Sequence, residues 1–232
     1  MGTIVLGDPM KIVSLLSGGK DSMHALWLAE KEGHTVENVL VMVPNREDSW
    51  MYHRPNVKLI DLLSKCIGFP FIKVETSGIR EEELNDLKRV LEKLEVDGVV
   101  SGAIASVYQK SRIDRICNEL GLKSITPLWG RNPLELLREF LAAGFEAIVT
   151  KVSAEGLDEN WLGRKLDSQA MRDLLELNRR YGVHISGEGG EYESLVLNGP
   201  IFKKRIELLE VKRLWHGTSG HLIIKQAKLA ER

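Results

Sequence analysis

A run of six small and polar residues, 17–22 (Ser-Gly-Gly-Lys-Asp-Ser), is the part of this chain best suited to bind phosphate. Gly18 and Gly19 lack a Cβ, so they allow positive φ and let backbone N–H groups converge on an anion. The run follows the apolar segment 11–16 and precedes a segment of helical spacing that ends near Gly33, so the positive end of a helix dipole would point at the anion. The pattern predicts a phosphate-binding turn, and an ordinary capped turn is the alternative.

The charged and hydroxyl side chains of this turn indicate how it would hold phosphate. Lys20 adds a mobile positive charge, and Ser17 and Ser22 can donate hydroxyl groups to the same oxygens. Asp21 would repel a bare anion, so we expect a magnesium ion between its carboxylate and the phosphates. The turn is therefore predicted to use Mg²⁺, with Asp21 as the metal ligand.

A second cluster of chemically active groups occupies residues 187–194, which contain three glycines and the carboxylates of Glu188, Glu191 and Glu193. Glycines lose folding entropy, and neighbouring acids repel one another unless a cation or hydrogen-bond donors lie between them. A loop that coordinates magnesium or takes a proton from an amine would explain this composition. An exposed acidic turn explains it equally well.

Two further segments follow predicted strands and could line the same crevice. Tyr108 and Arg112 are four residues apart and would share one helical face if the helix has begun by residue 108, and Gln109 could recognise an adenine or a substrate amide. Arg112 could bind a phosphate or a carboxylate, although ordinary helix surface is the alternative. Residues 49–53 offer aromatic rings and His53, although a lone histidine is more often structural.

Alternating apolar strands and amphipathic helices would position these groups. Parallel strands need crossover connections, so this alternation predicts an α/β fold whose parallel sheet is covered on both faces. Ligands bind beyond the carboxyl ends of such strands, which places Ser17, Met42 and Gly102 at one crevice. The predicted strands are 11–16, 39–43, 71–74, 98–102 and 124–126, and the helices between them are 23–33, 55–66, 80–94 and 111–120.

The pattern changes after residue 127. Asn132 followed by Pro133 is typical of a helix start, and segments 206–215 and 221–229 have the alternation of antiparallel strands. A further strand is predicted at 146–152 and a long helix at 167–181. We predict two domains, a nucleotide-binding domain at 1–127 and a smaller C-terminal α+β domain at 128–232.

Composition narrows the class of protein. The 232 residues are 43% apolar and 28% charged, as in a globular protein, and the net charge of −1 argues against nucleic acid as the main partner. Cys66 and Cys117 form no Cys-x-x-Cys pair, so neither a disulfide scaffold nor a zinc site is indicated. With no signal peptide and no apolar run of about 18 residues, we expect a cytoplasmic protein without a membrane partner. The frequency of Glu, Lys and Arg suggests a heat-adapted source.

Residues 17–22 resemble the signature of the PP-loop family of ATP pyrophosphatases, which cleave ATP between the α and β phosphates. The chain as a whole is similar to the diphthine-ammonia ligase family in its short archaeal form. Residues 187–194 continuing through 200–202 are the most diagnostic part, and Ala103 departs from the pattern because an acidic residue is expected there. The other matching segments are 50–53, 108–112, 127–129 and 156–158.

The resemblance implies a Rossmann-like, adenine nucleotide α-hydrolase-like sheet and an AMP-forming ligase. Its cofactors would be ATP and Mg²⁺, and its partners translation elongation factor 2 and ammonium. Free ammonia is expected because the chain has no room for a glutaminase domain and no candidate nucleophilic cysteine at its start. A tRNA-modifying PP-loop adenylase and a non-catalytic nucleotide sensor are the alternatives, and the sequence leaves a homo-oligomer open.

The resemblance also implies roles for individual residues. ATP would be bound by Ser17, Gly18, Gly19, Lys20, Asp21, Ser22, Met42 and Gly102. Catalytic roles would fall to Lys20, Asp21, Glu188, Glu191 and Glu193. Substrate would be bound by His53, Tyr108, Gln109, Arg112 and Tyr192.

Overall fold

The computed structural model describes residues 8–44, 54–76 and 80–232, and contacts between Cα atoms divide them into two units. The first unit comprises 8–17, 21–44, 69–76 and 80–129, and the second comprises 18–20, 54–68 and 130–232. Residues 18–20 therefore group with the second unit, although the residues on either side of them group with the first. The assignment of 1–127 and 128–232 as domains stays a prediction.

Strands and helices alternate through the first part of the chain, and three of the last four elements are strands. In chain order the strands and α-helices are β1 (Lys11–Leu15), α1 (Lys20–Lys31), β2 (Thr35–Pro44), α2 (Arg54–Cys66), β3 (Phe71–Thr76), α3 (Arg80–Leu91), β4 (Gly98–Val100), α4 (Val107–Leu120), β5 (Lys123–Ile125), α5 (Pro133–Ala142), β6 (Glu146–Val152), α6 (Ser168–Tyr181), β7 (Tyr192–Asn198), β8 (Arg205–Trp215) and β9 (Gly220–Ala230).

The first unit is built on a parallel sheet with the strand order β3-β2-β1-β4-β5. Its strands are apolar because they are buried, and Val13, Leu40 and Val99 lie together in one core with residues of α3 and α4. The predicted α/β fold is confirmed. The strand order reverses between β1 and β4, and ligands of such sheets bind beyond the carboxyl ends of the strands at this reversal.

The second unit contains an antiparallel sheet with the order β7-β6-β9-β8. Helix α2 packs against β9 and β8 of this sheet. The sequence had instead predicted that this helix would cover the parallel sheet. Its apolar face, with Leu59, Ile60 and Leu63, is buried, and its end is tied down by a hydrogen bond from Lys203 N to Cys66 O at 2.6 Å. The sequence of an amphipathic helix predicts that one face will be buried, but it does not reveal which sheet that face will pack against.

Some element bounds differ from those predicted, and capping explains the largest shift at a helix start. Helix α4 begins at Val107, where Ser111 was predicted, because the Ser106 hydroxyl accepts a hydrogen bond from Gln109 N. The fourth strand ends at Val100, two residues earlier than predicted. The predicted start of α5 is confirmed, with Asn132 as the cap. Within the described ranges, none of the helices is long and apolar enough to cross a membrane.

Candidate active site

In the first unit, the start of α1 contacts Gly102, which follows β4. Ser17 N donates a hydrogen bond to the Ser22 hydroxyl at 3.2 Å, and the two serine hydroxyl oxygens are 3.1 Å apart. Gly102 lies so close to the start of α1 that a Cβ there would be 2.7 Å from the Asp21 carbonyl carbon and from Ser22 N. Ser17 and Gly102 thus each lie close to Ser22, at the point where the strand order reverses. The expectation that Ser17, Met42 and Gly102 line one ligand crevice stays a prediction.

Residues 18–20 pack against β7 in the second unit. Gly18 has a φ of 83°, a conformation that glycine adopts without strain, and its carbonyl oxygen accepts a hydrogen bond from Val196 N at 3.0 Å. The backbone N–H of Lys20 donates to the Ser194 hydroxyl at 3.1 Å. These two hydrogen bonds connect the glycine-rich turn to a strand about 175 residues further along the chain.

Lys20 is 5% exposed, which is unusual for a lysine. Its Nζ donates a hydrogen bond to the Ser186 carbonyl oxygen at 2.6 Å and lies 5.3 Å from the centroid of the Tyr192 ring. A buried ammonium needs such partners because it has lost its hydration. Sequence reasoning missed Ser186 and Ser194 as partners of Lys20, and the Ser186 contact uses a backbone carbonyl, which no residue type reveals.

Tyr192 was predicted to bind substrate, and it is 3% exposed. Its hydroxyl donates to the Ile185 carbonyl oxygen at 2.6 Å, and its ring lies beside Lys20. In this environment the side chain contacts protein groups over nearly its whole surface. A substrate-binding role for Tyr192 stays a prediction; its contacts are with Lys20 and with the loop before β7.

Two of the three predicted catalytic glutamates use their carboxylates in contacts with other protein groups, and these contacts stabilise the fold. Glu193 Oε1 is 2.8 Å from Lys151 Nζ on the neighbouring strand β6, and Glu191 Oε1 accepts a hydrogen bond from His184 N at 3.0 Å. Glu188 N donates to Nδ1 of His184 at 3.4 Å. Among the residues that the structure describes, no three His, Cys, Asp or Glu side chains form a group that could hold a metal ion. The catalytic roles of these glutamates stay predictions.

The remaining predicted site residues lie in the first unit or outside the described residues. Met42 is partly buried and packs against the core of the parallel sheet. Tyr108 is 47% exposed, and the Arg112 guanidinium lies over its ring at 3.4 Å from the centroid, so these two residues do share one helical face. Gln109 is exposed on the same first turn of α4. His53 lies outside the described residues.

The two cysteines are predicted to be unreactive in the folded protein. Burial raises the pKa of the Cys66 thiol to about 11, and burial followed by the charge of Asp114 raises the pKa of the Cys117 thiol to about 11. Only about one thiol in a thousand would then be ionised near pH 8. We expect almost no alkylation by iodoacetamide in an hour under native conditions, and modification of both thiols in denaturant, measured by mass spectrometry. Rapid native alkylation would contradict the burial of these side chains.

Known proteins match this chain over both halves. The family model described as "Diphthamide synthase N-terminal domain" matches residues 10–124, and "Diphthamide synthase C-terminal domain" matches residues 132–230. A diphthine-ammonia ligase from Rattus norvegicus is 38% identical, and one from Mus musculus is 34% identical; each match covers 95% of this chain and 91% of the relative. A diphthine-ammonia ligase from Saccharomyces cerevisiae is 31% identical over 90% of this chain and 36% of its own length.

The two matched regions leave only a short segment between them, and the first contains the turn at 17–22 while the second contains residues 187–194. The resemblance of these segments to the diphthine-ammonia ligase family thus agrees with both family models and with the named relatives. This chain belongs to the diphthamide synthase family.

Proposed function

We propose that this chain is an ATP-dependent diphthine-ammonia ligase that forms diphthamide on translation elongation factor 2. Membership of the diphthamide synthase family over residues 10–124 and 132–230 is the observation that carries the proposal. The buried Lys20 in a glycine-rich turn supplies the charge that an ATP-cleaving enzyme needs near the phosphates.

In the proposed reaction, the turn at residues 17–22 binds the β and γ phosphates of ATP through backbone N–H groups and Lys20. Asp21 would hold Mg²⁺ together with the phosphates, a fit that rests on the hard carboxylate and hydroxyl oxygens of Asp21, Ser17 and Ser22. When bound, Mg²⁺ would supply positive charge against the phosphate oxygens. Met42 and Gly102 would lie at the same end of the parallel sheet as the nucleotide.

The chemistry would proceed in two displacements. A carboxylate oxygen of diphthine attacks the α-phosphorus, the bond between that phosphorus and the bridging oxygen breaks, and pyrophosphate leaves with its charge stabilised by Lys20. The nitrogen of ammonia then attacks the acyl carbon of the adenylate, AMP leaves, and one proton passes from nitrogen to a base. We propose that one of Glu188, Glu191 and Glu193 accepts this proton, and that Tyr108, Gln109, Arg112 and His53 contact nucleotide or substrate.

The proposed function predicts a specific set of products. Incubation with ATP, ammonium and elongation factor 2 that carries diphthine is expected to yield AMP, pyrophosphate and a protein product whose mass is lower by about one dalton, because an –NH₂ group replaces an –OH group. Mass spectrometry of the factor and chromatography of the nucleotides would measure them. Release of ADP would reject the mechanism, and binding of ATP without turnover would favour a nucleotide sensor.

The second candidate enzyme is a tRNA-modifying PP-loop adenylase. The formal net charge of −1 makes a large basic surface for tRNA less expected, and the buried thiols of Cys66 and Cys117 are poorly suited to carry sulfur. Adenylation of tRNA in the same assay, with no reaction of the factor, would favour that candidate. An archaeal, heat-adapted source and a cytoplasmic location stay predictions.

A further inference from the structure

We infer that Tyr192 and Ser194 of β7, with the carbonyl group of Ser186, are positioning groups for Lys20. Lys20 lies in a different segment of the sequence, yet all these groups belong to the second unit. The inference rests on the proposed function, because it assigns the loop before β7 a role in holding the lysine that binds the leaving pyrophosphate. Positioning here means that these groups act through Lys20 and do not themselves touch the reacting atoms.

Three contacts restrict Lys20 at both ends of the residue. The Ser194 hydroxyl accepts a hydrogen bond from the backbone N–H at 3.1 Å, which restrains the main chain at the start of α1. At the other end, Nζ donates to the Ser186 carbonyl oxygen at 2.6 Å and lies over the Tyr192 ring. Ser186, Tyr192 and Lys20 are each at most 5% exposed, so the ammonium occupies a formed, water-poor environment.

The Ser186 carbonyl group is itself held in place from two sides. The Tyr192 hydroxyl donates to the neighbouring Ile185 carbonyl oxygen at 2.6 Å, and the Glu191 carboxylate accepts from His184 N at 3.0 Å. Gly187 follows with a φ of 68°, and a Cβ at this position would lie 2.6 Å from the Tyr192 carbonyl oxygen. The loop therefore packs closely against Tyr192. Tyr192 in this way links the conformation of the loop to the position of the Lys20 ammonium.

The chemical type of these partners matters as much as their position. A carboxylate at the place of the Ser186 carbonyl group would neutralise the ammonium and weaken its attraction for phosphate. A carbonyl oxygen and an aromatic face orient a cation through partial charges, so the full positive charge stays available for an anion. The arrangement thus holds Lys20 in one place while preserving its electrostatic effect on pyrophosphate.

A double-mutant cycle between Lys20 and Tyr192 tests the inference. Tyr192→Leu, Lys20→Met and the combined variant are compared with the wild type by kcat and KM for ATP, and by calorimetric affinity for magnesium pyrophosphate. Tyr192→Leu is expected to lower both kcat and pyrophosphate affinity about tenfold when Lys20 is present, and less than about twofold in the Lys20→Met background. The KM for ATP changes less than kcat, because the lysine acts mainly on the charge of the leaving group.

If Tyr192→Leu lowers the folded fraction, two smaller substitutions still test the inference. Tyr192→Phe keeps the ring over Lys20 but loses the hydrogen bond to Ile185, and Ser194→Ala removes the acceptor for Lys20 N; each is expected to lower pyrophosphate affinity about threefold with Lys20 present. The matched control is Tyr181→Phe at the end of α6, which alters an exposed tyrosine and is expected to change nothing. Melting temperatures establish the folded fraction of each variant.

Equal losses in the Lys20 and Lys20→Met backgrounds would overturn the inference, because Tyr192 would then act independently of the lysine. An unchanged pyrophosphate affinity in Lys20→Met would overturn it as well. A wild type that binds pyrophosphate but forms no AMP would instead reject the proposed function, and the affinity cycle would still decide whether Tyr192 positions Lys20. The two failures are thereby distinguishable.

Discussion

Replacing Lys20 with methionine is expected to lower kcat for AMP formation by about 10²–10³-fold. Lys20 is 5% exposed, so a methionine of similar length can fill its place while removing the charge. The lost charge would have stabilised pyrophosphate as it leaves, and preorganised charge near the developing anion is usually a large catalytic contribution. Release of AMP and pyrophosphate from ATP, ammonium and diphthine-bearing elongation factor 2 provides the measurement.

The variant also leaves the buried Ser186 carbonyl group without its ammonium donor, which is expected to lower stability by about 1–3 kcal/mol. Rates are therefore compared per folded molecule, with the folded fraction taken from thermal melting. Lys31→Met, at the exposed C-terminal end of the same helix, is the matched control and should retain kcat within about twofold. Wild-type turnover in Lys20→Met would remove Lys20 from the proposed mechanism.

Gly102→Ala is expected to lower the free energy of unfolding by about 1–3 kcal/mol and to weaken ATP binding at least about tenfold. The added Cβ would lie 2.7 Å from the backbone at Asp21 and Ser22, closer than a real Cβ contact. Backbone atoms at the start of α1 cannot move aside as a flexible side chain can, so the helix start must shift. That shift would displace the N–H groups that we propose bind phosphate. Chemical denaturation and ATP titration measure the two effects.

Gly68→Ala provides the matched control for this substitution. The new Cβ would approach the Lys203 side chain at 2.3 Å, a comparable overlap, but the atoms it meets belong to the flexible end of a lysine. We therefore expect a change in stability of less than about 0.5 kcal/mol and unchanged ATP binding. Equal effects of the two substitutions would show that the close packing of Gly102 against α1 is not the cause of the lower stability. Normal ATP affinity in Gly102→Ala would show that this packing does not support ATP binding.

The sequence by itself determined the position of the glycine-rich turn between β1 and α1 and the fold class of the first unit. Residues 17–22 stand between an apolar strand and an amphipathic helix, and both patterns are local, so hydrophobic period and glycine content suffice to identify them. The placement of the carboxyl ends of β1 and β4 side by side followed from the parallel sheet that the alternating pattern predicted. Helix caps such as Asn132 were predictable for the same local reason, whereas the cap at Ser106 was missed.

Only the tertiary structure decided which groups surround Lys20. Ser186 and Ser194 are separated from it by 166 and 174 residues, and one of the two contacts uses a backbone carbonyl oxygen, which every residue possesses. The partners of Glu191 and Glu193, and the packing of α2 against the antiparallel sheet, depend on the same long-range arrangement. Local periodicity shows that a face will be buried, but the partner is selected by packing across the whole unit.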